Sequence, residues 1–80
     1  MRLLRIYLRE GCHLCEEMLG RLEQRLSDTD VRLEQVDVDR AAATMEAYGH
    51  RVPVLETPSG ECLSEFVLDE VNLARFLQTD

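Results

Sequence analysis

An α/β domain of element order β-α-β-α-β-β-α, built on a four-stranded mixed sheet flanked by helices, is what this 80-residue sequence predicts. Three observations carry that expectation. Short apolar runs alternate with segments whose apolar residues recur at helical spacing. Glycine, proline and Ser/Asp/Thr clusters punctuate the boundaries between them. Only residues 57–60, with Pro58-Ser59-Gly60 as the turn, separate the last two strand-like runs, too little chain for a crossover. Those two runs therefore pair as an antiparallel hairpin, whereas strands joined through helices pair in parallel.

Residues 3–8 (LLRIYL) form a short apolar run ended by Glu10-Gly11, which reads as a buried strand. From Leu14 the apolar residues move to helical spacing, with Leu14, Met18, Leu22 and Leu26 on one face and Leu19 beside them. Glu17, Arg21 and Arg25 fall four apart on the solvated side. Ser27-Asp28-Thr29-Asp30 ends this helix. Residues 31–38 read as a second strand, whose alternation changes phase between Leu33 and Val36, as a bulge or late start would produce. A short helix is expected from an Asp39 N-cap through Ala42, Met45 and Tyr48 to Gly49. Residues 50–56 form a third strand with Pro53 inside it, and residues 61–65 a fourth. Asp69 caps a last helix with Val71, Ala74 and Leu77 facing inward.

The length suits one domain spanning residues 1–80, near the lower end of what one hydrophobic core stabilises. A composition 45% hydrophobic and 31% charged is that of a folded chain, not a disordered one. Arg2 and Arg5 break the first apolar stretch, and no run approaches the ~18 residues of a membrane span. The expected location is cytoplasmic. Sixteen acids against nine bases, all arginine, give a net charge of −7. An acidic surface repels phosphate, which argues against nucleic-acid or anionic-membrane partners.

Chemistry concentrates in Cys12-His13-Leu14-Cys15, which follows Gly11 and opens the first helix. Residues i and i+3 of a helix have Cα atoms ~5 Å apart, within disulfide range, so a dithiol and a disulfide interconvert with little backbone movement. A three-residue spacing closes too small a loop to be a structural cross-link, and the third cysteine makes the count odd. The unpaired N–H groups at the helix start favour a thiolate on Cys12. Cys15, one turn in, is expected to be shielded. These positions make Cys12 the nucleophile and Cys15 the resolving thiol. Arg9 and a protonated His13 support the thiolate and flank the substrate, while Glu10, Glu16 and Glu17 oppose it. A zinc site needs two further ligands, and His13, His50 and Cys62 make a poor second pair, so no metal site is assigned. Cys62 reads as a small core hydrophobe, and Tyr7 and Phe66 as core or groove rim.

Val52-Pro53 is the second constellation. Proline removes a ladder donor and belongs at an edge, a bulge or a cis turn. It also lowers the cost of a cis bond from ~3 kcal/mol to ~0.5–1 kcal/mol. A cis Val52–Pro53 bond facing Cys12, with the Val52 backbone free to pair with an extended substrate, is the expectation.

Residues 6–15 (IYLREGCHLC) together with Val52-Pro53 resemble the thioredoxin superfamily, and within it the glutaredoxin-like branch. The resemblance covers essentially the whole chain. It implies a thioredoxin/glutaredoxin-like fold and a monomeric thiol–disulfide oxidoreductase. Cys12 and Cys15 would be catalytic, and Arg9, His13, Val52 and Pro53 would contact substrate. Partners would be protein or small-molecule disulfides and a thioredoxin-type or glutathione reductant, with no resident cofactor. Glutaredoxins usually place paired glycines after the fourth strand, where this chain has Ser64-Glu65-Phe66. Side chains there crowd the approach of glutathione, and Glu65 would repel its carboxylate. The other class consistent with these residues is a thioredoxin-fold binding module or redox sensor whose dithiol binds metal on occasion.

Overall fold

Alternation in β1 (Arg2–Leu8) sends Leu4 and Ile6 to one face of the sheet and Arg5 and Tyr7 to the other. The computed structural model describes residues 2–78. β1 is central. It pairs in parallel with β2 (Val31–Asp37) and antiparallel with β3 (Val54–Glu56), and β4 (Cys62–Glu65) adds to β3, giving the order β2-β1-β3-β4. This is the mixed four-stranded sheet the sequence predicts.

Leu4, Ile6, Leu55 and Leu63 pack on α1 (His13–Leu26) and α3 (Glu70–Gln78) through Met18, Leu22, Leu26 and Leu73. On the other face Tyr7, Val38 and Val54 form a smaller cluster with Val36, Tyr48 and Val52. Covering both faces explains the second strand. Leu33 packs toward the larger cluster and Val36 toward the smaller one, so both phases of β2 are apolar and no bulge is needed. The irregularity falls instead between Leu55 and Glu56 of β3.

Other boundaries shift for identifiable reasons. Asp37, not Asp39, caps a single 3-10 turn, Val38–Arg40, by accepting the Asp39 N–H at 3.0 Å. The following α2 (Ala42–Tyr48) has Ala41 at its N-cap, with no side-chain cap, and contains no buried residue; Met45 is exposed. Residues 50–53 lie outside β3, because the ladder with β1 begins at the Tyr7–Val54 pair and proline cannot donate to it. In α1 the inward stripe is Cys15, Met18, Leu22 and Leu26, so Leu14 is exposed. In α3 the buried residue is Leu73, with Phe76 and Leu77 beside it, whereas Val71 and Ala74 face outward. Asp69 does cap that helix, accepting the Asn72 N–H at 3.0 Å. Cys62 is exposed rather than in the core: Leu63 takes the inward position on the edge strand.

Arg21 and Arg25, on the exposed side of α1, both reach Glu70 at the start of α3 and tie the two helices together. The Arg25 guanidinium holds the Glu70 carboxyl below its ordinary range. Gly20 sits in the middle of α1, where an added Cβ would meet nothing within 4 Å. Gly20→Ala should therefore raise stability by about 0.5–1 kcal/mol, readable as a higher thermal midpoint. A lower midpoint would mean that the helix needs its mid-point flexibility. Among the described residues no helix is long and apolar enough to cross a membrane.

Candidate active site

β1 hands its C-terminal end to a turn that delivers two cysteines onto α1. Gly11, at φ +77°, supplies a left-handed backbone that a side chain would strain, and the Cys12 N–H closes the turn on the Arg9 carbonyl at 3.3 Å. Cys12 is extended and is the N-cap of α1. Its Sγ accepts the Cys15 N–H at 3.1 Å, the contact a serine or aspartate oxygen makes at other helix starts. Cys12 and Cys15 are joined as a disulfide with Cα atoms 5.2 Å apart. The two sulfurs differ in access. Cys12 is half-buried and Cys15 only 2% exposed.

That asymmetry has chemical content. On reduction, an N–H already aimed at Cys12 Sγ, backed by the helix dipole, favours the thiolate on the accessible sulfur. His13 and Leu14, between the cysteines, are exposed, as are Glu10, Glu16 and Glu17.

Arg9 does not extend toward the sulfurs. Its Nε and Nη2 each donate to Asp39 at 2.9 Å, and Nη1 donates to the Gly49 carbonyl at 3.0 Å. A Cβ at Gly49 would lie 3.0 Å from Arg9 Nη2 and 2.5 Å from the Met45 oxygen, so glycine there leaves room for the arginine. Arg9 thus anchors the end of β1 to the 3-10 turn and to the end of α2. Its hydrogen bonds hold the Asp39 carboxyl below its ordinary range. Such a group contributes fully above the ordinary carboxylate range and loses its contribution as pH falls through the lowered value. Asp39→Asn should accordingly be less stable than the parent at neutral pH, the gap closing in acid. Thermal midpoints measured across pH check this, and a gap that persists unchanged in acid would contradict it.

The Val52–Pro53 bond is cis, and the Pro53 side chain is fully buried. The Tyr7–Val54 pairing runs β3 antiparallel to β1, so Pro53 and Val52 lie beside the end of β1 from which the cysteine loop departs. The Pro53 carbonyl accepts the Phe66 N–H at 2.9 Å, which fixes the chain leaving β4 to the proline.

That exit segment was legible only in part. Ser64 is buried, and its Oγ accepts the Asp69 N–H at 2.8 Å. Glu65 is ion-paired with Arg51, which compensates the charge expected to repel glutathione. Phe66 adopts φ +65°, the left-handed region that favours glycine. A side chain there costs about 1–2 kcal/mol, yet the Phe66 ring is 45% exposed and recovers little of that cost by burial.

Sequence reasoning missed the cluster under α2. The Tyr7 and Tyr48 rings stack with centroids 3.7 Å apart and planes at 11°. The Tyr48 hydroxyl donates to Glu56 Oε1 at 3.1 Å, giving a buried carboxylate its partner. Hydrogen bonding to Tyr7, then burial and Glu56, holds the Tyr48 phenol above its ordinary range. The pair joins residues 41 apart with no local pattern linking them, so no sequence signal marks it.

The chain matches the model of a family described as glutaredoxin-like domain (DUF836) over residues 3–78. No curated protein matches it. Among solved structures it is similar to protein Ne2328 from Nitrosomonas europaea, at 35% identity and TM-score 0.83, covering 96% of this chain and 92% of that one. It is also similar to protein XcR50 from X. campestris, at 32% identity and TM-score 0.70, covering 92% and 93%. A mutant thioredoxin from Halobacterium salinarum NRC-1 is 30% identical with TM-score 0.65, covering 95% of this chain and 71% of that one.

Proposed function

The chain belongs to the glutaredoxin-like domain family, and from that premise we propose that it is a thiol–disulfide oxidoreductase with Cys12 as nucleophile and Cys15 as resolving thiol. One observation carries the roles. The more accessible sulfur is the one at the helix N-cap that accepts a backbone N–H, and its partner is buried one turn in.

In the reduced chain the Cys12 thiolate attacks one sulfur of a substrate disulfide. A Cys12–substrate bond forms, and the other half leaves as a thiolate that takes up a proton. Cys15, having lost its proton, then attacks Cys12 Sγ. The substrate's second sulfur leaves, and the Cys12–Cys15 disulfide carries away the two electrons' worth of oxidation. A thioredoxin-type or small-thiol reductant returns the chain to the dithiol. The Val52–Pro53 segment, beside the end of β1, suits a backbone platform for an extended substrate. Glutathione is a poor reductant in this reading, because Phe66 stands in place of a glycine. The cytoplasm, where thiols are kept reduced, is the proposed compartment.

Turnover decides the matter. The chain, cycled with a small dithiol and a neutral disulfide such as hydroxyethyl disulfide, should reduce many equivalents per molecule. Reaction that stops after one equivalent would instead identify a redox sensor.

A further inference from the structure

Residues 50–53 precede β3 without joining its ladder, so contacts other than β-pairing fix their path. Val52, half-buried, makes no backbone hydrogen bond among the described residues. Its N–H and carbonyl can therefore receive an extended chain. A receiving peptide group binds well only where it is already held in one orientation, because ordering it during binding costs free energy.

The segment is held from both sides. Downstream, the Pro53 carbonyl accepts the Phe66 N–H. Upstream, the hold is Arg51. Its own N–H donates to the Tyr48 carbonyl at 3.0 Å and its Nε to the Ala47 carbonyl at 3.3 Å, which ties it to the end of α2. Its Nη1 donates to Glu65, the β4 residue that pairs with Val54. Its guanidinium lies over the Tyr48 ring, 5.0 Å from the centroid, and Tyr48 stacks in turn on Tyr7 of β1. One side chain thus refers the segment to α2, β1 and β4 at once.

Stability alone is a weak reason for this arrangement. An ion pair whose side chains are 27% and 40% exposed contributes little. A lysine would also supply the charge, but only a planar guanidinium stacks on a ring while donating along its edge. Resting on the oxidoreductase reading and its use of Val52–Pro53 as a platform, we propose that Arg51 is the positioning residue of that platform. It acts through Val52, by holding the peptide groups on which a substrate backbone pairs.

The test separates backbone pairing from sulfur chemistry. Three probes share one leaving thiol, 2-mercaptoethanol, and one small-dithiol reductant. They are hydroxyethyl disulfide, a neutral extended peptide whose single cysteine is linked to 2-mercaptoethanol, and the same peptide N-methylated on the residues flanking that cysteine. The parent should favour the plain over the N-methylated peptide by roughly fivefold or more in kcat/KM, the scale of one or two backbone hydrogen bonds. In Arg51→Gln that ratio should fall toward one, through a raised KM for the plain peptide. A fall shared equally by all three probes would mark a structural role only and overturn the proposal. Arg51→Lys, which keeps the charge without the plane, should lose most of the ratio as well, and full retention by lysine would overturn the proposal. Glu65→Gln removes only the exposed anchor on β4 and should lose part of the ratio; it carries the test if Arg51→Gln does not fold. Equal rates for the two peptides in the parent, or a ratio that neither Arg51→Gln nor Glu65→Gln moves, would overturn the role of Arg51 while hydroxyethyl disulfide still turns over. No turnover of hydroxyethyl disulfide by the parent would overturn the oxidoreductase reading and this inference with it.

Discussion

Cys12→Ser should lose turnover by on the order of a thousandfold or more, because the remaining thiols, buried Cys15 and edge-strand Cys62, lack the N-cap position on α1. Cys15→Ser should fail differently. It keeps the half-exposed sulfur and the N–H that points at it, so the first attack proceeds and the product stalls as a mixed disulfide at Cys12. Mass spectrometry of each variant after exposure to a disulfide separates the two outcomes. Alkylation against pH adds a second readout: Cys12 in the Cys15→Ser chain should react faster at neutral pH than Cys15 in the Cys12→Ser chain. The N–H aimed at the Cys12 sulfur and its greater access both act in that direction. A faster Cys15 would reverse the roles.

The second large effect is on stability. Leu22 is fully buried on α1 within the cluster that joins that helix to Leu4, Ile6 and Leu55 of the sheet. Leu22→Ala should cost about 2–5 kcal/mol, combining lost burial with the cavity left behind. A domain of this size has on the order of 4–12 kcal/mol in total, at ~0.05–0.15 kcal/mol per residue. The thermal midpoint should therefore fall by about 8–40 °C, at ~4–8 °C per kcal/mol. A fall of only a few degrees would mean that neighbouring side chains collapse into the gap.

The contrast with Gly20, two residues away on the same helix, shows which features the sequence made legible. α1 could be read because its stripe of Met18, Leu22 and Leu26 persists over several turns and only one face is apolar. Its first turn could not: Leu14 fits the helical period, but Cys15 takes the inward position. The α3 phase failed for a related reason. Apolar residues at 71, 73, 74, 76 and 77 satisfy two registers, and only packing on Leu63 and its neighbours selects Leu73. In β2 the two apolar phases looked like a defect and are the mark of a sheet covered on both faces. The cysteine pair and Val52-Pro53 were visible because their chemistry is local. Arg9 was assigned to the substrate on proximity in sequence, whereas Asp39, thirty residues on, claims it through two hydrogen bonds. Phe66 could be placed at a rim, but its left-handed backbone depends on how β4 is tied to Pro53, which no local pattern reveals.

The position of β1 in the order β2-β1-β3-β4 also sets a schedule for biosynthesis. Of these four strands β1 is made before the others and has neighbours on both sides, which emerge from the ribosome at different times. A nascent chain ending near Arg40 can already pair β1 with β2 around α1, placing Cys12 and Cys15 at a helix start. One edge of β1 then remains open until Val54–Glu56 arrives. The thiols thus exist before the proline-bearing segment that comes to lie beside them. For that interval the two thiols lack the segment that later flanks them, so whatever oxidant or reductant meets the nascent chain acts on a site with one side still open.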